Sequence, residues 1–494
     1  MNAEIRKVAF VALSLVGALV VGTTYWQAWG AGGLSARQDN AIKRVAQFKI
    51  KRGLIYAADG SVLAANRKRR TAGETFYFRH YPQRSLASNV VGYSTQARSR
   101  AGLERSLNDY LTGSNGNLHT VLRTKLDALT GKTVVGNSVV LTIDPQIQRA
   151  AQRALGSNCG AAVALEPSTG RVLAMATSPG YDPNVVEHKF GSIVTRKAAC
   201  SAAAPLLNRA VAGLYAPGST FKLVAAAAAL DTGAVRPDTT FVDRGYCIEY
   251  GKPVYNFADQ SGPERFGTVT FAQALQHSIN AVFCEVGKSL GGLKILDYGR
   301  RFGMYSESGL ETPRDEQRLS GLYRRGRLFS PKHDYEVDPG RLAFGQERLG
   351  VTPLQMAMVT ATIANGGVLM RPYVVELIET PGGKVLVRHE PKEVGRVMKR
   401  STANALTDMM VFVVTAGTGT AAQIAGVDVA GKTGTAETGA AGRNTTWFVA
   451  FAPAKRARVA VAVALENQTG TGGATAAPIA REIMTTALQR GLTP

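Results

Sequence analysis

The chain has 494 residues and a mass of 52.4 kDa, which exceeds one ordinary domain and predicts at least two folded parts. Hydrophobic residues make up 45% and charged residues 19%, which excludes wholesale disorder, and a mean hydropathy of −0.04 excludes a polytopic membrane protein. The net charge of +22 and a pI near 10.0 indicate a polyanion as a neighbour, with a solvated basic face as the alternative.

The first segment predicts a membrane anchor. After Arg6 and Lys7, residues 8–36 contain no Lys, Arg, Asp or Glu, and about 20 apolar residues are enough to cross a bilayer as a helix. Aromatic residues typical of the headgroup boundary lie near the distal end: Tyr25, Trp26 and Trp29. Residues 1–36 are therefore predicted to form a cytoplasmic tip and a single-pass anchor in the cell membrane, with the rest of the chain extracytoplasmic. A cleaved signal peptide is the alternative.

The predicted location governs how the basic residues and the cysteines are interpreted. The basic run at 67–70 is expected to face lipid headgroups or phosphate-bearing wall polymers, and no nucleic acid partner is predicted. The cysteines lack a Cys-x-x-Cys pair and a histidine at metal-ligand spacing, so no zinc site is predicted. Up to two disulfides, in three possible pairings, fit an oxidising compartment, and free thiols remain equally open. The cysteines are Cys159, Cys200, Cys247 and Cys284.

Residues 37–138 mix short apolar runs with many turn formers. This pattern predicts a small, strand-rich pedestal domain. One helical stretch is expected within it, around Leu103, Leu107 and Leu111.

Residues 139–494 predict a second domain of the α+β class. Strands at both ends enclose a helix-rich middle, which indicates one antiparallel sheet assembled from distant segments and a helical insertion. The predicted elements are a strand at 139–143, a helix capped by Asp144 with Pro145 at its first position, a hairpin at 161–176, strands at 447–452 and 458–465, and a final helix opened by Pro478 and ending near Arg490.

The first chemical motif lies at residues 216–222, which read Ala-Pro-Gly-Ser-Thr-Phe-Lys and lead into an alanine run. Ser219 and Lys222 are predicted to share one face of the first helical turn. A serine hydroxyl becomes a nucleophile when a base removes its proton, and a lysine with a depressed pKa can be that base. The alternative is a helix-capping serine beside a surface lysine.

Two further motifs follow. Ser278-Ile-Asn280 offers a hydroxyl that can relay a proton and an amide that can hold a peptide carbonyl. Lys432-Thr433-Gly434, predicted on a strand, offers a cation, a hydroxyl and a position without a side chain, so an extended peptide can lie against it. Each motif alone is weak, and their order and spacing carry the prediction.

Together, these motifs resemble those of the penicillin-recognising serine transpeptidases and serine β-lactamases. Ser-Ile-Asn in place of Ser-Asp-Asn favours the penicillin-binding proteins. The strings at 52–55, 102–104 and 447–450 are similar to class B penicillin-binding proteins, and the group of actinobacterial penicillin-binding protein A is the most similar by length and by its small pedestal. The resemblance covers nearly all residues beyond the anchor.

The resemblance implies a peptidoglycan DD-transpeptidase that acts on stem peptides ending in D-Ala-D-Ala and is acylated by β-lactams. Ser219 would attack the carbonyl of the penultimate D-Ala, and Lys222 would take the serine proton. Ser278 and Lys432 would relay a proton to the leaving group, and Asn280 would position the donor stem.

In the same resemblance, the terminal carboxylate would be held by the string Lys432-Thr433-Gly434-Thr435. The backbone N–H groups of Ser219 and Thr435 would form the oxyanion hole. No metal and no cofactor is implied. For class B proteins the resemblance also implies a partner, a membrane glycan polymerase of the shape, elongation, division and sporulation family.

Three alternatives accompany this prediction. Residues 426–433 satisfy the phosphate-loop pattern G-x-x-x-x-G-K-[ST], but a helix is not expected after Lys432, so nucleotide binding is rejected. A β-lactam-hydrolysing member and a β-lactam-sensing member of the same fold stay open. The first would need a base that activates water, and the second a cytoplasmic signalling region.

Overall fold

A computed structural model describes most of the chain. The described residues are 2–25, 47–71, 73–114, 133–198, 200, 202–259, 262–438 and 442–491. The helix Asn2–Tyr25 contains one stretch, Ile5–Tyr25, that is long and apolar enough to cross a membrane. The N-terminal segment is thus a candidate membrane span, as predicted, whereas Trp26 and Trp29 lie outside the described residues.

The described helices and strands are numbered separately in chain order. The helices are α1 Asn2–Tyr25, α2 Ser88–Val91, α3 Leu103–Ser106, α4 Asn108–Thr112, α5 Pro145–Leu155, α6 Phe190–Val194, α7 Arg209–Ala212, α8 Lys222–Asp231, α9 Phe271–Gln276, α10 Asn280–Leu290, α11 Gly292–Arg301, α12 Pro339–Ala343, α13 Pro353–Ala364, α14 Arg400–Ala416 and α15 Gly472–Gln489. The strands are β1 Ile55–Tyr56, β2 Val62–Thr71, β3 Glu74–His80, β4 Tyr93–Ser94, β5 Arg100–Ala101, β6 Ser138–Leu141, β7 Gly160–Leu165, β8 Val172–Ser178, β9 Thr240–Asp243, β10 Tyr246–Glu249, β11 Lys252–Tyr255, β12 Ala258–Asp259, β13 Gly262–Pro263, β14 Gly267–Thr270, β15 Gly321–Arg324, β16 Arg327–Phe329, β17 Leu349–Gly350, β18 Val368–Met370, β19 Val375–Glu379, β20 Val385–Arg388, β21 Glu393–Arg396, β22 Ala430–Glu437, β23 Asn444–Ala452 and β24 Val459–Gln468.

The central sheet has the strand order β22-β23-β24-β7-β8, and every neighbouring pair is antiparallel. It joins strands from both ends of the region after the pedestal, so the predicted α+β class, hairpin and C-terminal strand pair are confirmed. Successive side chains of a strand point to opposite faces. Along β24, Ala460 and Ala462 accordingly join the core that contains α8 and α13, whereas Val461 and Val463 join the core that contains α5 and α15.

Two predicted helix boundaries need correction. The final helix begins at Gly472, with the Thr471 side chain accepting a hydrogen bond from the Ala474 N–H, and Pro478 lies inside it. A side chain at Gly472 would overlap the carbonyl oxygens of two strand residues, so this helix start is set by tertiary packing. In the pedestal, the helical stretch around Leu107 is two short helices, α3 and α4, which meet at that residue. The capped helix at Pro145 is confirmed.

A second sheet links the pedestal to the rest of the chain. Its strand order is β20-β19-β6-β1-β2-β3. Strand β6 lies between β1, with which it is parallel, and β19, with which it is antiparallel. The predicted boundary between residues 138 and 139 therefore falls inside a strand, and the division into residues 1–36, 37–138 and 139–494 stays a prediction.

The pedestal buries a cluster of three charged side chains. The Glu104 carboxylate is fully buried and pairs with the Arg52 guanidinium at 2.9 Å and the Arg79 guanidinium at 2.5 Å. Burial raises the pKa of Glu104, but the two guanidinium charges outweigh it and hold that pKa below its ordinary value. The carboxylate therefore stays ionised and joins two segments of the pedestal to α3.

The four cysteines form two disulfides, Cys159–Cys200 and Cys247–Cys284, with Cα–Cα distances of 5.3 and 6.3 Å. This is one of the three pairings that the sequence left open. The second disulfide ties β10 to α10, the helix that begins at Asn280.

Candidate active site

The first motif forms a short helical turn that continues into a longer helix. Gly218–Phe221 is a 3₁₀ turn, and Lys222 is the first residue of α8. Ser219 is half-buried and Lys222 is fully buried. Ser219 therefore lies in a helical turn next to Lys222, as predicted, but this turn is a 3₁₀ turn and the α-helix begins only at Lys222. Among the described residues, the Ser219 hydroxyl has no hydrogen-bond partner.

Lys222 reaches the second motif directly. Its Nζ donates to the Ser278 carbonyl oxygen at 2.5 Å and to Asn280 Oδ1 at 2.8 Å, and it lies 3.2 Å from Ser278 Oγ. Ser278 lies between α9 and α10 with φ of 61°, a left-handed conformation that a non-glycine residue adopts at a cost. In this conformation both its carbonyl and its hydroxyl oxygen contact the same amino group.

Lys432 approaches the same hydroxyl from the central sheet. Its Nζ donates to Ser278 Oγ at 2.8 Å and to the Thr433 carbonyl oxygen at 3.0 Å. The Ser278 hydroxyl is thus bonded to both Lys222 and Lys432. The three predicted motifs, from segments far apart in the chain, are brought together around this one oxygen.

The electrostatics favour unprotonated lysines. Both side chains are fully buried, and neither pairs with a carboxylate among the described residues. Burial, and then the charge of Lys432, lowers the pKa of Lys222 well below its ordinary value. Burial lowers the pKa of Lys432 to about 7. A neutral amine at neutral pH can accept a proton, as a general base must.

Glycines allow the first and third motifs to touch. A side chain at Gly434 would meet the Pro217 carbonyl oxygen at 2.9 Å and Thr220 Cγ2 at 2.9 Å. A side chain at Gly218, where φ is 51°, would meet the Thr435 carbonyl oxygen at 2.8 Å. The turn that carries Ser219 therefore packs on the Lys-Thr-Gly strand with main chain against main chain.

The third motif lies on β22, which is the edge strand of the central sheet, as predicted for a strand that receives a peptide. Thr435 Oγ1 accepts a hydrogen bond from the Gly472 N–H at 3.2 Å, so its hydroxyl proton stays available to an acceptor. The Thr433 hydroxyl lies 2.7 Å from the hydroxyl of Thr418, a neighbour that the motifs did not predict.

The continuation of β22 to Glu437 agrees with rejection of the phosphate-loop pattern, which requires a helix here.

A buried network beside the turn that carries Ser219 was not predicted from the sequence. Glu466 Oε1 accepts from Arg209 Nε at 2.9 Å and from the Tyr215 hydroxyl at 2.8 Å. The Tyr215 ring packs edge-on against Trp447, whose indole N–H donates to the Ala216 carbonyl oxygen at 2.9 Å. Glu466 could have been identified from the sequence because it is a charged residue at the end of the apolar run of β24.

Comparison with known proteins agrees with this geometry. Residues 160–485 match the penicillin binding protein transpeptidase domain, and residues 52–139 match the penicillin binding protein A dimerisation domain. The chain belongs to the penicillin-binding protein transpeptidase family.

Particular relatives are similar over most or all of the chain. The peptidoglycan D,D-transpeptidase PbpA of Mycolicibacterium smegmatis is 37% identical over 99% of this chain and 100% of its own length. Stage V sporulation protein D of Bacillus subtilis is 30% identical over 82% of this chain and 63% of its own length. The solved structure of penicillin-binding protein A from M. tuberculosis, as a ceftriaxone acyl-enzyme complex, is 32% identical, covers 90% of this chain and 100% of its own, and has a TM-score of 0.79.

Proposed function

We propose that this protein is a peptidoglycan D,D-transpeptidase that works through an acyl-serine intermediate. The observation that carries the proposal is the Ser278 hydroxyl, which is bonded to two buried lysines from different motifs. Such an arrangement can take a proton from a nucleophile and pass it to a leaving group. The relatives that share the fold include D,D-transpeptidases and a β-lactam acyl-enzyme.

In the first half-reaction, Ser219 Oγ forms a bond to the carbonyl carbon of the penultimate D-Ala while Lys222 takes the hydroxyl proton. The peptide C–N bond then breaks, and the proton reaches the departing D-Ala nitrogen through Ser278 and Lys432. The backbone N–H groups of Ser219 and Thr435 stabilise the oxyanion. Because the pKa values of both lysines are lowered, the serine proton has an acceptor at neutral pH.

Substrate positioning falls to the residues that line the two sides of the nucleophile. Asn280 orients the donor stem peptide, and its Oδ1 also accepts from Lys222. The D-Ala carboxylate is held at the string Lys432-Thr433-Gly434-Thr435 on the edge strand. An amine from a second stem peptide then displaces Ser219 and completes the cross-link. A β-lactam acylates the same serine.

We also propose that α1 anchors the protein with its N-terminus in the cytoplasm, supported by Arg6 and Lys7 at that end.

The anchor and the pedestal are then the parts that dock on a membrane glycan polymerase of the shape, elongation, division and sporulation family. Supporting this, the described pedestal residues contain none of the three motifs. Replacing residues 1–36 with an unrelated anchor should abolish co-purification of the polymerase. Unchanged co-purification would contradict docking through the anchor.

Intact mass of the full chain, purified in detergent and exposed to a fluorescent penicillin, tests the catalytic proposal. We expect one stable adduct on the parent and on Ser192→Ala, an exposed-serine control, and none on Ser219→Ala. An adduct that forms and clears within minutes would favour the β-lactam-hydrolysing alternative. An adduct on Ser219→Ala, or none on the parent, would refute the assignment of the nucleophile.

A further inference from the structure

An exposed apolar face lies on the hairpin formed by β10 and β11. Side chains alternate between two sides of this hairpin, with Cys247 and Glu249 buried on one side. The other side carries Tyr246, 39% exposed, and Tyr255, 51% exposed, with their ring centroids 6.2 Å apart. We call the residues of this side the aromatic hairpin face: Tyr246, Ile248, Pro253 and Tyr255.

The aromatic hairpin face is held rigidly against α10. The Cys247–Cys284 disulfide joins the two elements, and Lys288 Nζ donates to the Ile248 carbonyl oxygen at 2.7 Å. At the base of the hairpin, the Ala281 N–H donates to Asn256 Oδ1 at 2.9 Å. A surface fixed in this way loses little conformational freedom when a ligand binds to it.

The hairpin that carries this face contacts the proposed stem-peptide site. The Tyr255 carbonyl oxygen accepts from Asn280 Nδ2 at 3.1 Å, while Asn280 Oδ1 accepts from Lys222 at 2.8 Å. A stem peptide of about five residues spans at most about 18 Å when extended. Whatever carries the donor peptide must therefore lie within that distance of Ser219 when its D-Ala end is bound.

We infer that the aromatic hairpin face binds the glycan strand that carries the donor stem peptide, a chain of N-acetylated hexosamines. The inference rests on the proposed function, because that function brings a glycan-linked peptide to Asn280. The C–H faces of sugar rings are apolar and stack on aromatic rings, and the two tyrosine hydroxyls can bond to sugar hydroxyls. Exposed apolar side chains grouped on one face mark a candidate binding surface.

Binding of the full-length protein to glycan chains stripped of their stem peptides tests the inference. The parent in detergent should retain these chains, and Tyr246→Ala combined with Ile248→Ala should bind them about tenfold more weakly. Phe412→Ala removes another exposed aromatic side chain, on α14, and should bind like the parent. Acylation by a fluorescent penicillin should stay within about twofold in both variants, which also reports that they are folded.

Equal binding of stripped glycan by the parent and the hairpin variant would overturn the inference and favour a protein partner for this face. The same would follow if Phe412→Ala lost as much binding as the hairpin variant. Failure of the proposed function would look different. The parent would then not be acylated by penicillin, whatever its binding to stripped glycan.

Discussion

The pedestal and the catalytic cleft both bury charged groups, but they compensate them differently. In the pedestal, Glu104 pairs with Arg52 and Arg79, so opposite charges meet at hydrogen-bond distance. In the cleft, the hydrogen bonds of Lys222 and Lys432 within the described part of the chain all go to neutral oxygens. Burial without a counterion costs several kcal/mol unless the group loses its charge.

This difference separates a structural charge cluster from a reactive one. The pKa of Glu104 lies below its ordinary value, so it remains a carboxylate and a stable partner for two guanidinium groups. The pKa of Lys222 lies well below its ordinary value, so it is ready to accept a proton. Burial beside opposite charges therefore keeps Glu104 ionised in the pedestal, whereas burial without them lowers the pKa of Lys222, which suits its proposed role as the base.

The largest effect is expected from Lys222→Met, which removes the proposed base and keeps an apolar chain of similar length. Loss of a general base lowers a rate by about 10²–10⁴-fold, so acylation by fluorescent penicillin should fall by that amount. Stopped-flow or time-course mass measurements give the rate. Lys189→Met, at an exposed lysine, is the matched control and should react like the parent. A rate within about tenfold of the parent would show that another group is the base.

Glu104→Gln tests the pedestal half of the comparison. It leaves two buried guanidinium groups without a counterion, and breaking such a pair costs about 3–5 kcal/mol of unfolding free energy. Denaturant unfolding of the full chain measures the loss. Glu74→Gln breaks the exposed pair with Lys49 and should cost less than about 1 kcal/mol. Equal costs for the two variants would contradict a structural role for the buried cluster.

Asn280→Asp would make the cleft resemble the pedestal by placing a carboxylate beside Lys222 Nζ, which now lies 2.8 Å from Asn280 Oδ1. An opposite charge at this distance raises a lysine pKa by about 1–3. In the proposed mechanism acylation needs the neutral amine, so the pH midpoint of the rate should rise by about 1–3, and the rate at pH 7 should fall and recover as pH rises. Asn280→Ala adds no charge, and its pH profile should keep the midpoint of the parent. Identical midpoints for Asn280→Asp and Asn280→Ala would refute the electrostatic explanation.

The smallest effect is expected from Tyr215→Phe, which removes one hydrogen bond to Glu466 behind the nucleophile turn. One such bond is worth about 0.5–1.5 kcal/mol, so the acylation rate should fall by about twofold to tenfold, with no shift in its pH profile. Tyr298→Phe is the control, because that hydroxyl donates to the Asp231 carboxylate at 2.8 Å near the far end of α8. A larger loss in the control would show that the network does not position Ser219.

Local pattern and motif order predicted much of the molecule. The alternation at 161–176 and 458–465 identified strands of the central sheet, and the Asp144-Pro145 pair identified a helix start. The predicted start of the last helix at Pro478 was wrong. The packing of Gly472 on the central sheet sets where this helix begins, and the proline lies inside it.

The motif residues were identified from the sequence, but their physical state was not. Burial of Lys222, the left-handed backbone of Ser278 and the pairing of Arg209 with Glu466 all depend on segments brought together from far along the chain. A single sequence contains no record of these distances. The same reason left the disulfide pairing open, since three pairings satisfied the spacing equally.

Strand β6 has a consequence for any attempt to exchange parts between related proteins. Its hydrogen bonds run to a pedestal strand on one side and to β19, from the catalytic part, on the other. A chimera joined at residue 138 would keep β6 and β19 from one parent but would have to match β6 to a foreign β1 in register, and a slip of one residue would turn the side chains of β1 to the wrong face. An exchange of the pedestal therefore has to carry a β1 that fits β6, while β6 keeps its register with β19.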